Sequence, residues 1–135
     1  MTLRYLLDSD ICIFVMKRRT PALLRRLDQR ATASAISVVA YGELAFGEVM
    51  SARRDEAAAH LAALLETLQV LPLPLDAARR YAEIRAELQR TGQPIGSNDL
   101  WIAAHALADD LTLVTNNERD YDDVEGLVVE NWARP

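Results

Sequence analysis

Short apolar runs that stop abruptly at polar residues alternate along this chain with longer stretches of helical periodicity. Tyr5-Leu6-Leu7 ends at Asp8-Ser9-Asp10. Leu111-Thr112-Leu113-Val114, the clearest strand, ends at Thr115-Asn116-Asn117-Glu118-Arg119-Asp120. Ala33 to Ser37 and Leu127-Val128-Val129 read as two more strands. Val70-Leu71-Pro72-Leu73-Pro74 is an extended piece that its prolines confine to a sheet edge or a connection. Between these runs, helices are expected from Ile11 to Met16, from Pro21 onward, from Val38 to Gly47 and from Asp55 to Gln69. A further helix is expected from an Asp76 cap to Gln89, ended by the glycine stop Thr91-Gly92. Strands separated by helices pair in parallel, so the pattern predicts an α/β sandwich, a mainly parallel central sheet flanked by helices. With 135 residues, half of them apolar, the expectation is a single domain over 1–135 with a full core.

In such a sheet, functional groups gather at the carboxyl ends of the strands. Asp8 and the loop from Thr115 to Asn117 are therefore expected on one rim, where helix starts carrying Glu43 and Asp99 face them. Asp99 belongs to Gly96-Ser97-Asn98-Asp99-Leu100-Trp101-Ile102-Ala103-Ala104-His105-Ala106, with Ser97 the expected N-cap and Leu100, Ala103, Ala104 and Leu107 directed inward. Taken alone, Asp99 need only complement the helix dipole. Glu43 lies among Val39, Phe46 and Gly47, where a carboxylate either snorkels to solvent or requires a cation, a metal or a donor beside it. If the three acids converge, they form a hard set of oxygen ligands suited to Mg²⁺ or Mn²⁺ and not to zinc. A divalent ion held in that way activates water and neutralises charge on a phosphodiester.

Composition narrows the partners. The formal net charge of -5 argues against binding a polyanion through overall electrostatics, which leaves that task to a local patch. Fourteen of the fifteen basic residues are Arg, a skew that genome composition explains as readily as phosphate clamping. The cluster Lys17-Arg18-Arg19 reads as a solvated surface, although its position after the first acid suits a phosphate backbone. Cys12 is the only cysteine and lies in the apolar run Ile11-Cys12-Ile13-Phe14, so it is expected in the core of a protein from a reducing compartment. His60, alone on an Ala- and Leu-rich helix, is assigned no role. No signal-like segment opens the chain and no run reaches the length needed to cross a bilayer, so a soluble, cytoplasmic protein is expected.

Four segments in order, Leu6 to Asp10, Ser37 to Gly47, Gly96 to Ala104 and Leu113 to Arg119, with the closing Val129-Glu130-Asn131-Trp132, resemble the PIN-domain nucleases. Within that family the chain is similar to VapC-type toxins of toxin–antitoxin pairs. The resemblance implies a PIN-like α/β/α sandwich in which Asp8, Glu43 and Asp99 bind Mg²⁺, or Mn²⁺, and in which a metal-activated water cleaves RNA to leave a 5′-phosphate and a 3′-hydroxyl. Many PIN domains carry a fourth acid in the loop after the fourth strand. The matching residue here is Asn117, an uncharged ligand that favours a single metal, with Glu118 or Asp120 as substitutes. Asp10 stands where the family usually has Asn, and it either adds charge to the site or caps the following helix. Ser9, Thr115 and Asn116 are implied as donors that orient the carboxylates, and Arg119 as a contact to phosphate or to a neighbouring acid. The resemblance also implies a homodimer, held inactive in a heteromeric complex by a VapB-type antitoxin whose C-terminal segment brings a basic side chain to the metal site. The helices near Ile11 to Leu27 and Leu44 to Leu65 offer surfaces for both contacts.

Other readings differ in chemistry. Leu7-Asp8-Ser9-Asp10 with Leu113-Val114-Thr115-Asn116 loosely mimics a phosphoaspartate enzyme of the haloacid-dehalogenase type, or a receiver domain. Both need a cation late in the chain to neutralise phosphate, and no Lys follows Lys17. A PIN fold kept only as an interaction module without nuclease activity draws its support from Asn117 alone.

Overall fold

The computed structural model describes residues 2–134. Its elements follow in the order β1 (Tyr5–Leu7), α1 (Ser9–Lys17), α2 (Pro21–Arg30), β2 (Ser34–Ser37), α3 (Val38–Val49), α4 (Arg54–Thr67), β3 (Gln69–Leu71), α5 (Leu75–Arg90), α6 (Ser97–Ala108), β4 (Thr112–Val114) and β5 (Val129–Glu130). Short 3₁₀ turns at Ala31–Ala33 and Glu118–Tyr121 precede β2 and follow β4. The strands form one sheet in the order β3-β2-β1-β4-β5, and every pairing is parallel. β3 lies at an edge, where the prolines that follow it deprive no neighbouring strand of a hydrogen bond.

Burial explains why such short strands hold. Tyr5, Leu6, Leu7, Ala35, Ile36, Leu113 and Val114 are all buried, the signature of parallel strands covered on both faces. α1 packs against α3 and α4, and α5 packs along α6. Because parallel crossovers are right-handed, the connections from β1 through β3 lay their helices on one face and the return from β3 to β4 lays α5 and α6 on the other. The small side chains of Ala103, Ala104 and Ala106 are fully buried on α6, which lets that helix lie close to its neighbours. The last segment is fastened rather than free. Trp132 meets the Tyr5 ring edge-on at 4.9 Å, lies under the Arg30 guanidinium at 5.4 Å, and its carbonyl accepts from Arg26 at 3.0 Å.

Several details differ from the sequence reading. Gly96 and not Ser97 occupies the N-cap of α6, and Pro74 and not Asp76 that of α5; neither makes a side-chain cap bond. Main-chain geometry starts both helices, with the Pro74 carbonyl accepting from Ala77 N and the Gly96 carbonyl from Leu100 N, each at 2.9 Å. Asp76 instead pairs with Arg80 on the surface. β5 begins two residues further along than expected and is shorter: Val128 is exposed, and only Val129 and Glu130 pair with β4. Gly92 does end α5 in the left-handed conformation, at φ 70°.

Leu6 lies at the centre of this arrangement, fully buried in the middle strand. Leu6→Ala should lower the unfolding free energy by about 2–5 kcal/mol in urea denaturation. A loss below about 1 kcal/mol would show that the sheet does not depend on packing at its middle strand.

Candidate active site

The chain runs from β1 to β2 and β3 in one direction across the sheet and returns to the other side of β1 with β4, so the topology switches between β1 and β4. Loops leaving two such strands diverge and open a crevice at their carboxyl ends. Asp8 is the first residue beyond β1, and its N–H donates to the Val114 carbonyl at 3.0 Å, so the main-chain ladder itself sets it at the mouth of that crevice. The same residue caps α1: its Oδ1 accepts from Ile11 N at 3.1 Å. At 3% exposure its carboxyl is buried, and burial together with the adjacent Asp10 carboxylate pushes it up to about 9.

The other acids reach the same rim from separate elements. Ser37 caps α3 by accepting from Val39 N at 3.1 Å, and this helix carries Glu43, whose Oε1 accepts from the Ser9 hydroxyl at 2.8 Å. Asp99, in the first turn of α6, is half-buried, and burial raises its carboxyl above the usual range. The Tyr121 hydroxyl beside it works in the opposite direction, whereas Asp120, Glu43 and Asp10 add to the rise. Asp8 and Asp99 thus lie within electrostatic reach of Asp10, and Glu43 within reach of Asp99.

Asp10 has a larger part than either role foreseen for it. It does not cap α1, which Asp8 does. Instead it bridges to the loop after β4, where its Oδ1 accepts from Thr115 Oγ1 at 3.4 Å and from Asn116 N at 3.3 Å, and its Oδ2 accepts from Asn117 Nδ2 at 2.5 Å. The donors expected to orient the carboxylates therefore divide: Ser9 holds Glu43, while Thr115 and Asn116 hold Asp10. Asn117 faces Asp10 through its amide nitrogen as a donor, and its N–H donates to Thr115 Oγ1 at 3.0 Å. Glu118 is engaged elsewhere, accepting from Asn131 and Arg134, each at 2.9 Å. Asp120 is the loop acid that lies near Asp99. Arg119 is exposed and, among the described residues, forms no ion pair.

Among the described residues, no three Asp, Glu, His or Cys side chains are disposed around one metal position as they stand. The reason is local: the Ile11 N–H holds Asp8, the Ser9 hydroxyl holds Glu43, and the loop after β4 holds Asp10. The donor set nonetheless fits a hard divalent cation. It consists of oxygens alone, and it crowds carboxylates into a poorly solvated place where Asp8 holds its proton far above its ordinary range.

Tyr121 did not stand out in the sequence. It is 2% exposed, and its hydroxyl, close to Asp8, Asp99 and Asp10, is pushed upward first by burial and then by those charges. A tyrosine in a polar turn carries no periodic signal; only its position directly after Asp120 in the loop leaving β4 pointed to the site.

Comparison with known proteins agrees with this architecture. The PIN domain family model matches residues 5–127. Ribonuclease VapC2 of Haemophilus influenzae is 38% identical over 131 residues, covering 97% of this chain and 99% of that protein. The tRNA(fMet)-specific endonuclease VapC of Shigella flexneri is 35% identical over 131 residues, with the same coverage of 97% and 99%. The crystal structure of DNA-bound VapBC from Salmonella typhimurium superposes with a TM-score of 0.93 at 33% identity, covering 97% of this chain and 99% of that one. The chain belongs to the PIN-domain family and, within it, to the VapC ribonucleases.

The burial of Asp8 has a measurable consequence. Its folded value of about 9 lies above the ordinary 3.8, so the folded protein keeps a proton that the unfolded chain releases. That contribution to stability is full below the ordinary value and is lost as pH rises toward about 9. In the presence of a chelator, the melting temperature of the wild type should fall across this window. Asp8→Asn, which keeps a good helix cap, should flatten the fall; parallel curves for the two proteins would contradict the assignment.

Proposed function

We propose that the chain is the toxin of a VapBC-type toxin–antitoxin pair, a metal-dependent endoribonuclease that hydrolyses RNA phosphodiesters in the cytoplasm. The observation that carries the metal-dependent part of this reading is the buried Asp8 carboxyl at the β1/β4 switch, beside Asp10, with Glu43 and Asp99 carried toward the same rim by elements distant in sequence. Asp8 and Asp99 would hold the cation, with Glu43 as the third acid, and oxygen donors of this kind suit Mg²⁺ and Mn²⁺. When bound, the cation supplies neutralisation of phosphate charge and a water acidic enough to react near neutral pH.

This chain's own residues do the rest. Ser9 fixes the direction of Glu43, and Thr115, Asn116 and Asn117 hold Asp10 so that the charge beside Asp8 stays in place. The start of α6 presents its positive dipole end to an anionic backbone. In the hydrolysis itself, water oxygen bonds to phosphorus and the bond from phosphorus to the 3′ oxygen breaks. A rim carboxylate takes one proton from the water, and the released 3′ oxygen takes one up, leaving a 5′-phosphate and a 3′-hydroxyl.

The partner reading rests on a second surface. An open cleft of about 1120 Å³ between α1, α3 and α4 runs from Lys17, Arg18 and Arg19 to Ser9 and Glu43 at the acidic rim. Its walls carry the exposed apolar side chains of Ile13, Val38 and Phe46. An antitoxin segment with apolar anchors and a basic side chain directed at the rim fits this chemistry, and it would deny the site to RNA and cation together. The homodimer expected of the family belongs to the same proposal.

Two experiments test these parts separately. Asp8→Asn and Asp99→Asn should each reduce Mg²⁺-dependent cleavage of RNA by at least about a hundredfold, the transition-state loss expected when a charged ligand is removed, with the circular dichroism spectrum unchanged. Wild-type protein free of antitoxin that leaves RNA intact across Mg²⁺ and Mn²⁺ titrations would overturn the nuclease reading. Phe46→Asp, at a side chain 67% exposed, should weaken antitoxin binding about tenfold or more while RNA cleavage persists. Unchanged antitoxin affinity would remove the cleft from the interface.

A further inference from the structure

Beside the acidic rim, α5 and α6 face each other through two matched stripes. Tyr81, Arg85, Leu88 and Gln89 follow one another at helical spacing on α5, and Ser97, Leu100 and Trp101 do so on α6. The Tyr81 and Trp101 rings stack at 3.9 Å with their planes 12° apart, and the Arg85 guanidinium lies over the Tyr81 ring at 5.9 Å. The same guanidinium donates from Nη1 to the Tyr81 hydroxyl at 2.9 Å. The arginine is thus tied to an aromatic pair that spans both helices.

Nothing in the fold neutralises that arginine. Among the described residues Arg85 has no carboxylate partner, whereas Arg80 and Arg90 on the same helix pair with Asp76 and Glu87 at 3.4 and 2.6 Å. Arg85 lines a recess of about 270 Å³ between α5 and the start of α6. Leu88, Ile95 and Leu100 give the recess an apolar side, Gln89 and Ser97 give it hydrogen-bonding groups, and the guanidinium is the one formal charge among its described lining residues. The recess adjoins the candidate active site. Ile95 and Ser97 flank Gly96, and a Cβ at Gly96 would lie 3.8 Å from Asp99 Oδ2, so the loop that walls the recess also borders the Asp99 carboxylate.

A lone positive charge beside an otherwise uncharged, partly apolar recess selects an anion with a flat apolar group attached to it. One nucleotide of a single strand has that chemistry. The recess has room for one base; the Gln89 amide and the Ser97 hydroxyl suit its edge and ribose, and the guanidinium suits the adjoining phosphate as a two-pronged donor. We propose that this recess is a subsite for a nucleotide of the RNA beside the scissile phosphate, with Arg85 holding its phosphate. The inference rests on the nuclease reading and adds to it a contact outside the metal site. It also selects for unpaired RNA, because a base stacked in a duplex cannot enter.

Arg85→Gln, at an exposed helical position, removes the charge and leaves the ring stack in place. Affinity of the full chain for a fluorescein-labelled single-stranded RNA, measured by anisotropy with a chelator present, should weaken about tenfold, the lower end for a hydrogen bond to a charged group. The slope of log affinity against log salt should become shallower by about 0.7, the loss of one phosphate contact on a single strand. Arg79→Gln removes an exposed charge from the same helix outside the recess and should leave affinity and slope as in the wild type. Equal losses in the two variants, or wild-type affinity in Arg85→Gln, overturn the subsite. A changed oligomeric state of Arg85→Gln in sedimentation also overturns it, because the recess is then a contact between copies. If the metal-free protein holds RNA too weakly to measure, KM for cleavage in Mg²⁺ decides by the same comparison, with a rise of about tenfold expected in Arg85→Gln and none in Arg79→Gln. Wild-type protein that neither binds nor cleaves RNA overturns the nuclease reading, whereas a cleaving wild type matched in KM by Arg85→Gln overturns only the subsite.

Discussion

The pairing of β1 with β4 governs the rest of this molecule. Its last rung, the Asp8 N–H on the Val114 carbonyl, belongs to the main chain and owes nothing to the Asp8 side chain. It places a carboxylate where two strands part and their loops diverge, and burial on both sides of the sheet makes the placement rigid. The remaining acids arrive because the crossovers bring helix starts back to the same rim. α3 begins directly at the end of β2, and α6 begins after the return across the sheet. A slip of one residue in the β1 register would exchange Leu6 and Leu7 between the two covered faces of the sheet and carry Asp8 off its rung, so core and site are specified by the same pairing.

That arrangement opposes stability to function. Carboxylates kept near one another in a poorly solvated place repel, and Asp8 retains its proton well above its ordinary range in consequence. Local donors ease the conflict one acid at a time: Ile11 N–H for Asp8, the Ser9 hydroxyl for Glu43, the Thr115 to Asn117 loop for Asp10. The same strain makes the rim attractive to positive charge. On the proposed reading a divalent cation would relieve it, and so would a basic side chain from a partner, which would give catalysis and inhibition a common physical origin. The apolar cleft beside the rim would add the contact area that a single ion pair cannot supply.

Much of this was legible in the sequence, for reasons that can be traced to residues. Fully apolar triplets such as Tyr5-Leu6-Leu7, ended by acids, announce buried parallel strands, and the strand and helix order predicted from them is the order observed. The positions of Asp8, Glu43 and Asp99 followed from the rule that such sheets work at their carboxyl ends. What the sequence concealed was set by tertiary contact. Ser97 looked like a cap, but main-chain geometry at Gly96 started the helix instead. Asp10 was open between two roles because its bonds run to residues more than a hundred positions away. Asn117 was read as a ligand, and its amide nitrogen is bonded to Asp10. Tyr121 had no local pattern to betray it, since its burial is set by tertiary packing.

On the proposed reading Asp8 and Asp99, carried by β1 and by the start of α6, share one cation. Anomalous diffraction from crystals grown with Mn²⁺ would show whether they do. One strong peak is expected between the two side chains, about 2 Å from a carboxylate oxygen of each, as for a small divalent cation. A protein that cleaves RNA in Mn²⁺ while its crystals show no peak there, or a peak that neither carboxylate touches, would contradict it.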